Sequence, residues 1–364
     1  MEILLIVKNS NINYKKITYG EAIREALQVA MSDDDSVICY GLGVDDPKGI
    51  FGTTLGLQNE FGNERVFDMP ASENAMTGIG IGAAIYGLRP VMIHQRLDFF
   101  ILAMDQLVNN AAKWHFMFGG KNYVPFTIRL IIGRGWGQGP THSQNLQAWF
   151  AHIPGLKVVM PATAGDAKGL LISSIFDNNP VVFLEHRWLH NLQGNVPKND
   201  YRVEIGKAAI LNKGLDITIV SMSYMTIEAI HAVDVLNKVG VSCELIDLRT
   251  IRPIGWETIV VSVKKTGRLI VLDTGTKTLS VAGEIASTIV ERCWHELKNP
   301  PKRIALPDNP EPTSFELSKE YYVDIEMIIE SILDLLEKPD LLNLVDIKKQ
   351  KPHDVPGDWF KGPF

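Results

Sequence analysis

Apolar residues along this chain fall into short unbroken blocks, separated by longer stretches in which apolar positions recur every three or four residues. The blocks are Ser36–Tyr40, Arg65–Phe67, Pro90–His94, Phe126–Ile132, Leu156–Met160 and Pro180–Leu184, most of them rich in β-branched side chains. A strand that is apolar on successive positions must be covered on both faces, as the strands of a parallel sheet are. The periodic stretches near 19–32, 73–87, 100–118 and 164–178 predict the helices that cover it. A polar run follows, and then a second alternating series. Its strands are Asp216–Ser221, Cys243–Asp247 and Arg268–Asp273, and its helices fall near 224–239, 280–298 and 317–336. The pattern predicts an α/β protein with a larger parallel-sheet domain over 17–190 and a smaller α/β domain over 206–338. An N-terminal arm over 1–16, a linker over 191–205 and a tail over 339–364 complete the division. The tail is polar and proline-containing, and is expected either to be disordered or to dock on a partner through Trp359 and Phe360.

Composition narrows the function classes. A formal net charge of -6 leaves no basic field to attract nucleic acid or an anionic membrane. The cysteines, Cys39, Cys243 and Cys293, lie far apart with no C-x-x-C pair, which argues against a disulfide framework or a zinc site and fits a reducing compartment. The opening MEILLIVKNS has an apolar patch but no cationic lead-in and no small-residue cleavage site, so it reads as a strand or an arm, not a signal peptide. No apolar run is long enough to span a bilayer. These features predict a soluble, cytoplasmic protein.

Candidate chemistry concentrates in two segments. In the first, Asp68–Ala84, a strand ends, a polar turn follows and a glycine-rich helix begins, with Glu73 in the first helical turn. Ligands of open α/β sheets bind at the carboxyl ends of strands, which is where this places Glu73. Taken alone, an acidic residue at a helix N-terminus is commonly no more than a favourable charge. Gly78, Gly80 and Ala83 match the letters of a dinucleotide fingerprint, but they lie inside the helix and do not form the strand-to-helix turn. Small residues at Gly78, Gly82 and Ala83 are better read as room for another helix. The second segment, Gly133–Gln144, is a glycine-dense loop after a fully apolar strand, and it delivers His142 to the predicted start of a helix. It lacks the lysine of a phosphate-cradling loop, whereas a histidine so placed is a candidate for proton transfer. His186, Arg187, Trp188 and His190 either line a cleft or begin the linker, and no third metal ligand accompanies the two histidines. Asp105, Gln106, Asn109 and Asn110 interleave with apolar positions, as amides do when they pair across a subunit contact.

At these residues the chain resembles the β subunits of pyruvate, branched-chain 2-oxoacid and acetoin dehydrogenases, which are themselves similar to the central and C-terminal parts of transketolase. The resemblance runs from about Thr18 to Leu335, through Phe67–Glu73, Gly82–Pro90, Met104–Lys113, Thr141–Gln144, Pro154–Val159, Asp166–Leu170, Phe176–Val181 and Glu244–Pro253. It implies a transketolase-like pyrimidine-binding domain with a parallel sheet, followed by a transketolase C-terminal-like domain. It implies thiamine diphosphate as cofactor and oxidative decarboxylation of a 2-oxoacid with acyl transfer to a lipoyl group. By resemblance Glu73 bonds the pyrimidine ring nitrogen, Phe99 stacks on that ring with Gln95 and Arg96 beside it, and His142 contacts the bound intermediate. Burial of Glu73 is then expected to raise its pKa above the reference of about 4.3. The resemblance also extends to a structural K+ at Phe126, Ser174, Ile175, Asp177 and Asn179, mostly through backbone carbonyls.

Thiamine enzymes of this kind grip the diphosphate through Mg2+ with a GDG segment followed by an asparagine pair, and no GDG occurs here. The resemblance therefore implies an α subunit that holds the magnesium, an α2β2 assembly with a second β chain, and a lipoyl acyltransferase core as a further partner. The segment His94–Phe99 is more polar than the usual dehydrogenase form, and Arg96 offers a charge to an anion. The alternative reading is thus a two-chain transketolase-like enzyme that moves a ketol or acyl unit to a polar or phosphorylated acceptor without a lipoyl partner.

Overall fold

A computed structural model describes residues 13–134, 137–347, 352–355, 360 and 362. The described residues fall into two compact units: those within 13–133 and 149–205 form the first, and those within 134–148 and 206–362 the second. The N-terminal arm up to residue 12, Trp136 and Trp359 lie outside the described residues.

The first unit contains β1 Tyr14–Thr18, α1 Tyr19–Asp33, β2 Val37–Gly41, α2 Gly49–Gly52, α3 Leu57–Phe61, β3 Val66–Asp68, α4 Glu73–Ile85 and β4 Arg89–His94. It continues with α5 Leu97–Phe100, α6 Ala112–Met117 and β5 Thr127–Ile132. After α7 Gln147–His152, where the chain passes back from the second unit, come β6 Lys157–Val159, α8 Ala164–Ile175, β7 Val181–His186 and β8 Gln193–Pro197. Its sheet runs β6-β7-β5-β4-β2-β3, all parallel. Every residue of β5 and β7 is buried, as unbroken apolar runs require. The segment read as a linker holds β8, which pairs antiparallel with β1. α1 begins with a capping box: Thr18 Oγ1 accepts from the Glu21 N–H at 3.2 Å, and Glu21 returns the bond to the Thr18 N–H at 2.8 Å.

The second unit contains β9 Ala209–Asn212, β10 Ile217–Ser221, α9 Tyr224–Lys238, β11 Cys243–Asp247, β12 Thr250–Arg252, α10 Trp256–Thr266 and β13 Leu269–Thr276. It closes with α11 Val281–Cys293, β14 Lys302–Leu306 and α12 Ile325–Leu335. Its sheet is ordered β14-β13-β10-β11-β9, parallel except for β9 at the edge. α9 packs with α12 and α10 with α11.

The predicted helix over 100–118 is not uniform. It passes through a 3-10 turn at Ile101–Ala103 and a π-helical stretch at Gln106–Ala111 before α6. Its amides pair within the helix: Asn109 donates to Asp105 at 2.6 Å and Asn110 to Gln106 at 2.8 Å. Phe360 is buried by the chain itself, so it is not left over for a partner. Among the described residues no helix is long and apolar enough to cross a membrane.

Candidate active site

The carboxyl edge of the first sheet is where β2, β3 and β4 each give way to a loop, and short contacts fix those loops. Asp68, the last residue of β3, accepts from the N–H groups of Gly43 and Val44 at 2.7 and 2.6 Å, which ties the loop after β2 to the loop after β3. Gly43 has φ 77°, and a Cβ there would meet Gln95 Nε2 at 2.4 Å. The positive φ favours a glycine there. Asp68 is a framing residue that sequence reading treated only as the start of a segment.

Five residues on, Glu73 opens α4. The helix is pinned from below: the Tyr40 hydroxyl on β2 donates to the Met76 carbonyl at 2.9 Å, and Thr77 Oγ1 donates to the Glu73 carbonyl at 2.8 Å. A Cβ at Gly80 would lie 2.1 Å from the Tyr40 hydroxyl and 2.7 Å from Phe126 Cζ, so α4 seats directly on the sheet there. The closest approach to this helix is not at the small residues singled out from the sequence. Within this chain the close approach is at Gly80 against Tyr40 and Phe126, whereas Gly82 has open space and Gly78 meets Gln106 at an ordinary 3.6 Å.

Glu73 is half-buried, and among the described residues its carboxylate has no hydrogen-bond or ion-pair partner. Such a group, on a rigid helix start at the ligand-binding edge of the sheet, is open to a donor from outside the chain. Gln95 is exposed and Phe99 presents 37% of its surface, on the loop and helix that follow β4. α4 packs against β4 and α5, so the structure brings Glu73, Gln95 and Phe99 to one edge of one sheet. Arg96 is buried. His94, which ends β4, is fully buried against the edge of Phe100, with ring centroids 5.4 Å apart. Neither of its ring nitrogens has a hydrogen-bond partner among the described residues, and burial pushes its pKa down to about 4.

His142 belongs to the second unit. It is half-buried, with Nδ1 3.1 Å from Thr141 Oγ1. The segment around it is anchored by two clusters that sequence reading missed. Arg134 lies buried over the Tyr322 ring at 3.4 Å, and Gln147 donates to the fully buried Asp273 carboxylate at 2.6 Å. Burial lifts Asp273 above the usual carboxylate range, although its N–H donors pull the other way. No local signal marks either cluster, because each joins segments remote in sequence.

His186, Arg187, Trp188 and His190 are all buried, part of the core of the first unit and not a linker. Arg129 and Glu185 form a fully buried bidentate pair at 2.6 and 2.9 Å, and His190 Nε2 lies 3.2 Å from the same carboxylate. Burial alone would raise Glu185, but Arg129 and His190 hold its pKa down to about 2.

The residues expected around a potassium ion are already engaged. Arg89 Nη1 donates to the carbonyls of Ile175 and Asp177 at 3.2 Å each, and Nη2 donates to Asn178 Oδ1 at 3.2 Å. Lys157 pairs with the Asp177 carboxylate, and the Phe126 carbonyl accepts from the Val181 N–H at 2.9 Å. The Asn179 N–H donates to Asp177 Oδ1 at 2.9 Å. Two protein cations, Arg89 and Lys157, thus lie against the loop to which the resemblance assigned a potassium ion.

Residues 15–192 match the family model "Transketolase, pyrimidine binding domain", and residues 206–328 match "Transketolase, C-terminal domain". The acetoin:2,6-dichlorophenolindophenol oxidoreductase subunit beta of Cupriavidus necator is 39% identical over 317 residues, 84% of this chain and 94% of its own length. The pyruvate dehydrogenase E1 component subunit beta of Bacillus subtilis is 40% identical, with 82% of this chain and 92% of the relative covered. The 2-oxoisovalerate dehydrogenase subunit beta of the same organism is 38% identical, covering 88% and 99%. Among solved structures, a split gene transketolase, described as an inactive beta4 tetramer, superposes with TM-score 0.72 over 89% of this chain and 99% of its own, at 18% identity, a likeness of fold.

Proposed function

This chain belongs to the family of thiamine-diphosphate-dependent 2-oxoacid dehydrogenase β subunits, and from that premise we propose that it completes an active site shared with an α chain. The observation that carries the reading is Glu73: a half-buried carboxylate without a partner among the described residues, held on a pinned helix start at the carboxyl edge of a parallel sheet. Its surroundings fit a flat heteroaromatic ring with a polar edge, since a carboxylate, an exposed amide at Gln95 and a partly exposed aromatic face at Phe99 share that edge.

When bound, thiamine diphosphate supplies the electron sink that lets a 2-oxoacid lose carbon dioxide. Glu73 would hold the pyrimidine nitrogen through a hydrogen bond of its carboxyl group. Phe99 would hold the face of the ring and Gln95 would border it. His142 holds or delivers a proton to the bound substrate. The diphosphate and its Mg2+ fall to the α chain, because no GDG segment is present. Leu102, Phe116 and Met117, on the run between α5 and the end of α6, are 68%, 86% and 56% exposed and supply apolar surface for a partner subunit. An α2β2 assembly, with acyl transfer to a lipoyl group, follows the pattern of the family.

The test is Glu73→Gln in the α/β enzyme. Decarboxylation, followed with an artificial electron acceptor, is expected to fall by at least about 100-fold while the chains still co-elute. Full activity in that variant removes Glu73 from the mechanism. A panel of pyruvate, branched-chain 2-oxoacids and acetoin then assigns the substrate.

A further inference from the structure

The segment bearing His142 carries glycines at 133, 135, 137 and 139, so its unconstrained backbone has many conformations to lose. A proton-transfer group must be held to within a fraction of an ångström, which such a segment achieves only if its roots are fixed elsewhere. Three ties in the second unit do this. At one root Arg134 stacks on Tyr322, whose hydroxyl donates to Glu311 Oε1 at 2.5 Å. In the middle Gly139, at φ 68°, lies against Thr313, where a Cβ would sit 2.2 Å from Oγ1.

The third tie is the most enclosed. Asp273 lies in β13, three residues before its end, and is fully buried. Its carboxylate accepts from the Gly275 N–H at 2.9 Å and from the Ala282 N–H, in the first turn of α11, at 3.0 Å. These two donors fix it to a strand end and a helix start, and the helix N-terminus favours its charge. The further donor is the Gln147 amide at 2.6 Å, which also reaches Thr274 Oγ1 at 3.1 Å. A Cβ at Gly275 would fall 2.8 Å from Gln147 Nε2 and 3.1 Å from the Asn145 carbonyl, so residues 145–147 lie flush on the end of β13.

We propose that Asp273 and Gln147 are positioning residues for His142: a buried carboxylate of the second unit holds, through one amide, the root of the segment that presents the histidine. This deepens the proposed function and rests on the role given there to His142. It accounts for an amide opening a six-residue helix with its side chain turned onto a buried acid, where a solvated polar residue would serve the helix equally well.

The test uses the α/β enzyme with thiamine diphosphate and Mg2+. Gln147→Ala is expected to lower kcat by about 10–100-fold with little change in the KM for the 2-oxoacid. Because Gln147 acts through His142, the double variant Gln147→Ala/His142→Ala is expected to be no slower than His142→Ala alone. Multiplying losses in the double variant overturn the proposal. Amide exchange over residues 137–146 is expected to quicken in Gln147→Ala while the strands of the second unit stay protected, and unchanged exchange also overturns it. An intact kcat in His142→Ala refutes the role of the histidine and the catalytic part of this proposal with it. The exchange measurement then still decides whether the amide anchors the segment.

Discussion

A histidine ring buried with both nitrogens lacking hydrogen-bond partners among the described residues strongly disfavours its charged form, and His94 is in that position. Its folded-state pKa of about 4 lies below the ordinary value of 6.5, so the unfolded chain takes up a proton first as the pH falls. Stability from neutral His94 is complete above about pH 6.5 and is lost as the pH drops from there toward 4, by on the order of 3 kcal/mol. Urea unfolding at stepped pH is expected to show this slope in the native chain and a shallower one in His94→Leu. Equal slopes would remove His94 as the source. Gly80 makes a related point about single residues: it matters because Tyr40 and Phe126 leave no room for a methyl group, not because it belongs to a nucleotide signature.

Among elements, β5 and β7 are neighbours in the sheet and share the Arg129–Glu185 pair, which carries opposite charges through an otherwise apolar layer. Removing one partner leaves the other charged and buried. Glu185→Gln is therefore expected to cost about 3–5 kcal/mol in urea unfolding, whereas Arg129→Met combined with Glu185→Leu costs far less. A single variant as stable as the parent would contradict the reading. With its folded pKa depressed to about 2, Glu185 contributes stability that is present above about pH 4.5 and fades as the pH falls toward 2. The elements missed at the sequence level were those with weak patterns. β9 and β14 are short edge strands, and in α10 the β-branched Ile259, Val260, Val261 and Val263 crowd the middle and mask the helical period.

At the scale of the whole molecule, the chain presents a pyrimidine-type site without the acidic segment that grips a diphosphate through magnesium. Calorimetry is expected to show weak or no binding of thiamine diphosphate with Mg2+ to this chain alone and tight binding once the α chain is added. Equally tight binding without α would refute the shared site. Binding of this kind is also expected to raise the thermal midpoint of the α/β complex as cofactor concentration rises, because a ligand that binds only the native assembly stabilises it by mass action.

The alternation of apolar blocks with helical periodicity was enough to determine the layered α/β architecture. It also placed Glu73 at the edge where ligands gather, because parallel strands present their carboxyl ends on the same side. Which side chains complete each site was decided only by folding. Arg89 meets carbonyls 86 and 88 residues away, and Gln147 meets an acid 126 residues away. Partnerships at that range depend on strand register and on how closely helices seat on the sheet, and neither is written in the spacing of neighbouring residues. The same cause set Arg89 and Lys157 against the loop at 175–178, and buried His186 and His190 in the first unit.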